Sequence, residues 1–417
     1  MRYEYNDTLI HRLSPSVKMI YSVLVSLSAA VSNSPRGLLF LTAAALFVLA
    51  LARPGPRRIR FLFFAATAGT AATVATQALF YSLEPRTAVF TIIPAGDSLL
   101  ARLTGGISVY KEGAFYGLVQ SLRFIAVMLM ASTLVISTHP AHILREFNRM
   151  RLPRAFGFVI AMSVKFLPYS LERAHRIILA LRMRGIKLKA PGGVFKIARF
   201  VLTPLVMSSL QQARITALAV EVRGGSFTVP EQGEKLPRRF FNFSTLELVT
   251  MAFFIVLMYA ASLPFKMGLN RAPFMHNLFF SLPFSCMLFA CIRLIPKRGT
   301  AMFLICGYSL LVQTLFTGIN PIRFISPLAE AVSLELFFLF SRRYADSYTS
   351  VVIAGILRGF VVCLFFYLVA APYIWHRFYA PWYVWFHIIQ NVAGSVAGGI
   401  LGFRLGSLIK TADNRAD

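Results

Sequence analysis

Ala180-Leu-Arg-Met-Arg184-Gly185 and Ala219-Val-Glu-Val-Arg223-Gly224 close two segments of helical character inside one basic stretch, residues 138–225. Each places an alanine four residues before an arginine and a glycine just after it. A single Arg-Gly at a helix end is ordinary. The cation suits the negative end of the helix dipole, and glycine accepts the left-handed backbone that ends a helix. Two such ends with the same alanine spacing, set between apolar runs, point instead to a repeated contact. The stretch reads as cytoplasmic coupling helices hung between membrane spans.

Composition fixes the setting. The chain has 417 residues, 57% of them hydrophobic and only 14% charged, with a mean hydropathy of +0.66. So few charges cannot cover a water-facing surface, so the expected fold class is all-α and polytopic in a membrane. The formal net charge of +27 argues for positive-inside loops and anionic lipid headgroups, because the basic residues gather at span ends and in the 138–225 stretch. That placement argues against a nucleic-acid role, and no nucleic-acid partner is expected. Four cysteines (Cys286, Cys291, Cys306, Cys363) lie in apolar runs without metal-ligand spacing and read as small core hydrophobes. The N-terminus does not read as a cleavable signal, since its polar lead enters a normal span.

Outward from the central stretch, the spans count to about ten. Four precede it, at about 18–31, 37–52, 59–82 and 113–137, with a polar loop over 83–112 and a dense basic loop over 53–60. Charge placement and helix count both set the two chain ends in the cytoplasm. Thr138-His-Pro140 reads as an N-cap with proline in the first turn, opening a helix over about 139–149. Lys165 and Pro168 make 155–171 a poor simple span, closer to an interfacial or re-entrant piece. From Leu171 the apolar residues Leu171, Ala174, Ile178 and Leu181 keep helical spacing, with Arg173, Arg176 and Arg182 off that stripe. A second segment runs from about 204 to Arg223. Six further apolar segments follow from about 244.

Recognisable reaction chemistry is thin. There is no G-x-x-x-x-G-K-[ST] phosphate loop, no His-Glu-x-x-His and no nucleophile in a known motif. A metal site and a cofactor bound by this chain are not expected. The notable residues of the last third are polar ones inside apolar runs: Glu330, Glu335, Arg358, His387, Gln390 and Asn391. A charge at membrane depth costs about 2.5–3.5 kcal/mol, so it faces a partner or a cavity. Arg358 pairing with Glu335 or Glu330 is one reading; ligand contact is the other. The glycines of Gly394 to Gly402 fit a close helix contact.

Residues 1–265 resemble the transmembrane (T) component of energy-coupling factor transporters, a family of ABC-type importers. Four segments carry the likeness: His11-Arg-Leu-Ser-Pro15-Ser-Val-Lys18; Thr138-His-Pro140 through Arg151-Leu-Pro153; Lys165-Phe-Leu-Pro168 with Arg184-Gly185; and Leu202-Thr-Pro204 through Arg223-Gly224. The resemblance implies a transporter subunit that is not an enzyme. In the family, the two arginine ends insert into two ABC ATPase subunits, which bind the ATP. Arg184, Gly185, Arg223 and Gly224 would be the docking residues, although Met183 and Val222 stand where the family usually has alanine. Residues 266–417 look more distantly like a substrate-binding (S) component. The implied function is coupling of ATP hydrolysis to uptake of a small substrate such as a vitamin at the cell membrane, with a separate S component as a further partner. The alternatives are a T component with a non-binding scaffold half, a membrane-embedded enzyme using Glu330, Glu335 and His387, or a basic membrane-surface scaffold.

Overall fold

The computed structural model describes residues 8–32, 34–81, 87–93, 107–138, 142, 154–185, 200–201, 203–223, 243–268, 276–313, 321–341, 344–374, 379 and 381–413. Helices dominate them. Eight are long and apolar enough to cross a membrane, and three shorter apolar ones accompany them. The chain is an all-α polytopic membrane protein, as composition predicts. It divides into two compact units: residues 1–146, 312–326 and 362–389, and residues 147–311, 327–361 and 390–417.

The first unit begins with a single turn, α1 (Leu9–Arg12), then α2 (Pro15–Val31), α3 (Pro35–Leu51) and α4 (Pro56–Phe80). Proline occupies the first turn of α2, α3 and α4, where its missing N–H costs nothing and its fixed φ favours the helix start. Helix α5 (Lys111–Ser137) packs against α2, α3 and α4. Val25, Ala45, Leu49, Leu62, Leu129, Met130 and Ile136 form the core of that packing. Within 83–112, where a polar loop is expected, lie two antiparallel strands, β1 (Ala88–Ile93) and β2 (Ile107–Tyr110). Glu112 anchors the pair by accepting hydrogen bonds from the Thr87 amide at 2.8 Å and its hydroxyl at 2.6 Å.

The second unit is built around α8 (Thr245–Gly268), buried without interruption from Leu248 to Tyr259. A reciprocal cap starts it: Glu247 N donates to Ser244 Oγ, and Ser244 N donates to Glu247. Against α8 pack α6 (Arg154–Met183), α7 (Thr203–Val222) and α9 (His276–Leu294). The interfacial or re-entrant piece expected over 155–171 is instead part of one 30-residue helix that runs through Pro168. Packing explains its continuity. Phe166 stacks on Phe253 with centroids 3.9 Å apart, and Ser163 Oγ donates to the Ala252 carbonyl at 3.2 Å. Such contacts outweigh the single backbone bond that proline removes. The helix expected over 139–149 falls outside the described residues apart from His142.

Helices α10 (Thr300–Val312), α11 (Pro321–Ser341), α12 (Tyr348–Phe365) and α13 (Pro381–Asp413) complete the chain. Helix α12 passes into a π-helical segment, Phe366–Ile374, that contains Pro372. Glycine sets the spacing of α13. A Cβ on Gly394, Gly398 or Gly402 would collide with the backbone of α9, and one on Gly359 of α12 would lie 2.6 Å from Val392 Cα. The small residues therefore allow backbone-to-backbone contact on two sides of α13, the role their sequence spacing suggests. All four cysteines are buried and unbonded to one another.

Candidate functional site

The two helix ends of the central stretch lie in the second unit. At the end of α6, Arg184 N donates to the Ala180 carbonyl at 3.2 Å, and Gly185 N donates to the Arg182 carbonyl at 3.0 Å. Gly185 has φ +75° with nothing within 4 Å of where a Cβ would be. Glycine is thus needed for the backbone turn and not for packing. Helix α7 ends on Val222 with Arg223 following in a turn; Gly224 is outside the described residues. Arg182, Arg184, Glu221 and Arg223 are all exposed, as are Met183 at 84% and Val222 at 88%. Tyr169 Oη to Gln212 Oε1, at 3.5 Å, links α6 to α7.

The apolar stripe of α6 holds in part. Leu181 is buried and Ala174 and Ile178 are half-buried, while Leu171 is 37% exposed. Glu172, Arg173, His175 and Arg176 are exposed, and Arg176 pairs with Glu172 one turn earlier. Such a solvent-screened pair contributes little.

In the first unit, α2 and α5 are held by two buried cations. Lys18 Nζ donates to the Ser137 carbonyl at 3.0 Å, in the last turn of α5, and to the His11 carbonyl at 3.4 Å. Arg123 of α5 returns the favour at the other end of α2, donating to the Ala29 carbonyl at 2.6 Å and the Ser32 carbonyl at 2.7 Å, and to Gln120 Oε1 at 2.7 Å. Each cation thus caps the C-terminal carbonyls of the opposite helix, where the helix dipole is negative. Lys18 closes the His11-to-Lys18 signature, which gives that segment a physical task.

The polar residues of the last third separate into three places. Arg358, 3% exposed, is the centre of a buried node. Its Nε donates to Glu330 Oε1 at 2.6 Å, and its Nη1 faces the hydroxyls of Ser395 at 2.7 Å, Ser285 at 2.8 Å and Ser281 at 3.0 Å. The guanidinium carbon lies 4.5 Å from the Phe284 ring centroid. Ser281 Oγ donates to the Asn391 carbonyl at 3.1 Å, and Gln390 is buried beside Asn391. Of the two pairings that the sequence leaves open, Glu330–Arg358 is the one formed.

Glu335 serves elsewhere. Its Oε1 accepts from the amides of Ala301 at 3.0 Å and Met302 at 3.3 Å, in the first turn of α10, and Oε2 accepts from the Tyr344 hydroxyl. A carboxylate there satisfies orphan amides and meets the positive end of the dipole. Burial and the Glu335 carboxylate push the Tyr344 hydroxyl well above its ordinary range, so it remains a donor. His387 belongs to the first unit. Its ring lies 4.2 Å from Tyr383 and 6.0 Å from Tyr367, and Tyr379 stacks on Tyr383 at 5.4 Å. Rings so close to one another fill the space between them.

Sequence reasoning passed over Ser281, Ser285 and Ser395. Serine in a span is common, but Ser281 and Ser285 stand four apart on one face of α9, a spacing that could have flagged them.

Long apolar helices, buried cations satisfied inside each unit and a pair of exposed helix ends that carry arginine define a polytopic membrane protein. Residues 6–233 match the model of the CbiQ family, described as cobalt transport protein. The chain belongs to that family. It is similar to the energy-coupling factor transporter transmembrane protein EcfT of Staphylococcus aureus (strain 04-02981), 26% identical over 233 residues, covering 54% of this chain and 82% of that protein. The EcfT proteins of Clostridium kluyveri (23% over 278 residues; 61% and 94%) and Bacillus subtilis strain 168 (24% over 239 residues; 54% and 83%) are similar too. It is a multi-pass membrane protein and a transporter subunit of energy-coupling factor type rather than an enzyme. The family match stops at residue 233, before the Arg358 node.

Proposed function

We propose that the chain couples ATP hydrolysis by two separate ABC ATPase subunits to uptake of a small substrate such as a vitamin. Arg184 with Gly185, and Arg223 with Gly224, dock the ATPases, which hold the ATP; this chain supplies no cofactor. Closure of the ATPase pair moves α6 and α7, and α8, packed against both, carries that movement on to α9 within the second unit. The observation that carries the reading is the pair of long helices that end on exposed Arg184 and Arg223, each followed in sequence by glycine, in a member of the CbiQ family. Arginine suits the task because it keeps its charge and its planar fork grips carboxylates bidentately. Both chain ends are cytoplasmic in this arrangement, basic loops contact anionic lipid, and residues 1–265 form the coupling domain.

Residues 266–417 form an additional membrane domain of S-component type, with Glu330, Arg358, Gln390, Asn391, Glu335 and His387 as its polar residues. A second reading makes this half a non-binding scaffold served by a separate S component. It draws on one observation: the Arg358 guanidinium is engaged by Glu330, three serines and Phe284. The test is a pull-down of the detergent-solubilised chain with its host's ATPase subunits. Wild type retains an ATPase pair, and Arg184→Ala/Arg223→Ala loses it. Equal retention by both, or none by wild type, removes the coupling reading.

A further inference from the structure

The Glu330–Arg358 pair is fastened by one atom on each side. A guanidinium grips a carboxylate with two parallel bonds when Nε and Nη2, which share an edge, each meet an oxygen. Here Nε donates to Glu330 Oε1 at 2.6 Å, and Nη1 is taken up by Ser281, Ser285 and Ser395. The parallel bond from Nη2 to Oε2 is not made, and no described residue takes its place on either atom. Polar atoms sealed without a partner occur elsewhere in the chain, as on Gln77, but Nη2 and Oε2 are not of that kind. The small exposure that Arg358 and Glu330 keep, 3% and 6%, therefore includes the two atoms left over.

The surroundings are rings and amides. The guanidinium lies over Phe284, and Tyr308 stands edge-on to Phe284 at 5.0 Å. Half-buried Asn391 lies one turn before Ser395 and brings its side-chain oxygen to 3.5 Å from the serine hydroxyl. A leftover N–H group beside a leftover carboxylate oxygen calls for a ligand that accepts on one side and donates on the other. The pair is neutral as a whole, so a ligand with net charge would bring an uncompensated charge to membrane depth. A lone anion would meet Oε2, and a lone cation would meet Nη2. A carbonyl with an N–H beside it suits both atoms, and neither partner has to release the bond it already makes.

We propose that this node is the floor of a binding site for a neutral molecule with an amide-type edge, such as a lactam, a ureide or an oxo-pyrimidine. The ligand carbonyl accepts from Arg358 Nη2, and the ligand N–H donates to Glu330 Oε2. The bonds that hold α9, α11, α12 and α13 together stay in place when it binds. The inference rests on the reading of residues 266–417 as a substrate-binding half and adds the chemical class of the substrate.

Uracil is the probe. Its control is 1,3-dimethyluracil, which keeps the ring and carbonyls but has no N–H, and acetate and tetramethylammonium test lone charges. Ligand-observed NMR on the detergent-solubilised full chain reads binding. The expected result is that uracil binds and 1,3-dimethyluracil binds at least about tenfold more weakly. Glu330→Leu/Arg358→Met, which removes both charges at near-conserved volume, should weaken uracil binding by at least about tenfold. The dimethyl comparison is made on wild type and so holds whatever the folding of the variant. Equal binding of uracil and its dimethyl derivative, or uracil binding that a folded double variant retains, overturns the inference. Binding of acetate or tetramethylammonium without uracil overturns it too, but leaves the substrate-binding reading standing. Binding of none of the four compounds removes both.

Discussion

Replacing Glu330 by glutamine keeps the shape of the Arg358 node and removes its only carboxylate within bonding distance among the described residues. The pair is buried, with side chains 8% and 4% exposed, and its atoms are 2.6 Å apart. Stripping one partner from a buried pair costs about 3–5 kcal/mol. Here Arg358 keeps three hydroxyls and the Phe284 ring, which lowers the figure to about 2–4 kcal/mol. Arg358→Met strands Glu330 at a comparable cost, although Ser281 and Ser395, 2.7 Å apart, can then satisfy each other. The double variant Glu330→Leu/Arg358→Met removes both charges with near-conserved volume, and its expected cost is within about 1–2 kcal/mol of wild type.

The buried cysteines provide the assay. Cys286, Cys291 and Cys306 lie in the second unit and Cys363 in the first, all buried, so a thiol-reactive dye reports thermal opening in detergent. Each single variant should melt several degrees lower, and the double should recover most of the loss. Singles that melt with wild type, or a double lower than either single, would refute the claim that this node is an internally satisfied pair.

Two further outcomes follow from the caps. Lys18→Met and Arg123→Leu each remove a charged donor from carbonyls at the end of the α2–α5 pair, at about 1–3 kcal/mol apiece; melting should fall in both, with Lys18→Arg retaining more than Lys18→Met. Glu335→Ala should cost about 0.5–2 kcal/mol through loss of the α10 cap, read as faster amide exchange at Ala301 and Met302 than in wild type; unchanged exchange there would exclude the capping role.

Periodicity and punctuation made most helices legible. Pro15, Pro35 and Pro56 mark starts, and the Gly394–Gly402 spacing announces a close contact that the backbone confirms. The Arg-Gly ends were readable because they repeat. What was hidden depends on residues far apart in sequence. Arg358 has two glutamates at plausible distance on α11, five residues apart, and only the fold decides that Glu330 meets it while Glu335 reaches the start of α10. Pro168 reads as a breaker, but apolar packing on α8 keeps the helix continuous. The β1–β2 pair is short and its pairing irregular, so its alternation carries little signal.

Burial sorts the cations of this chain into two kinds of work. Lys18, Arg123 and Arg358 are buried, and each is met by carbonyls, hydroxyls or a carboxylate of its own unit. Their bonds are spent on holding helices in register. Arg184 and Arg223 are exposed at helix ends, on helices that pack against α8. A cation that already has its partners cannot recruit another protein without giving something up, whereas an exposed one on a rigid support can. The physical distinction between fastening and docking is therefore drawn by exposure and not by residue type. Among the exposed arginines, Arg184 and Arg223 are set apart by the repeated alanine-to-arginine-glycine spacing, and the proposed coupling rests on them for that reason.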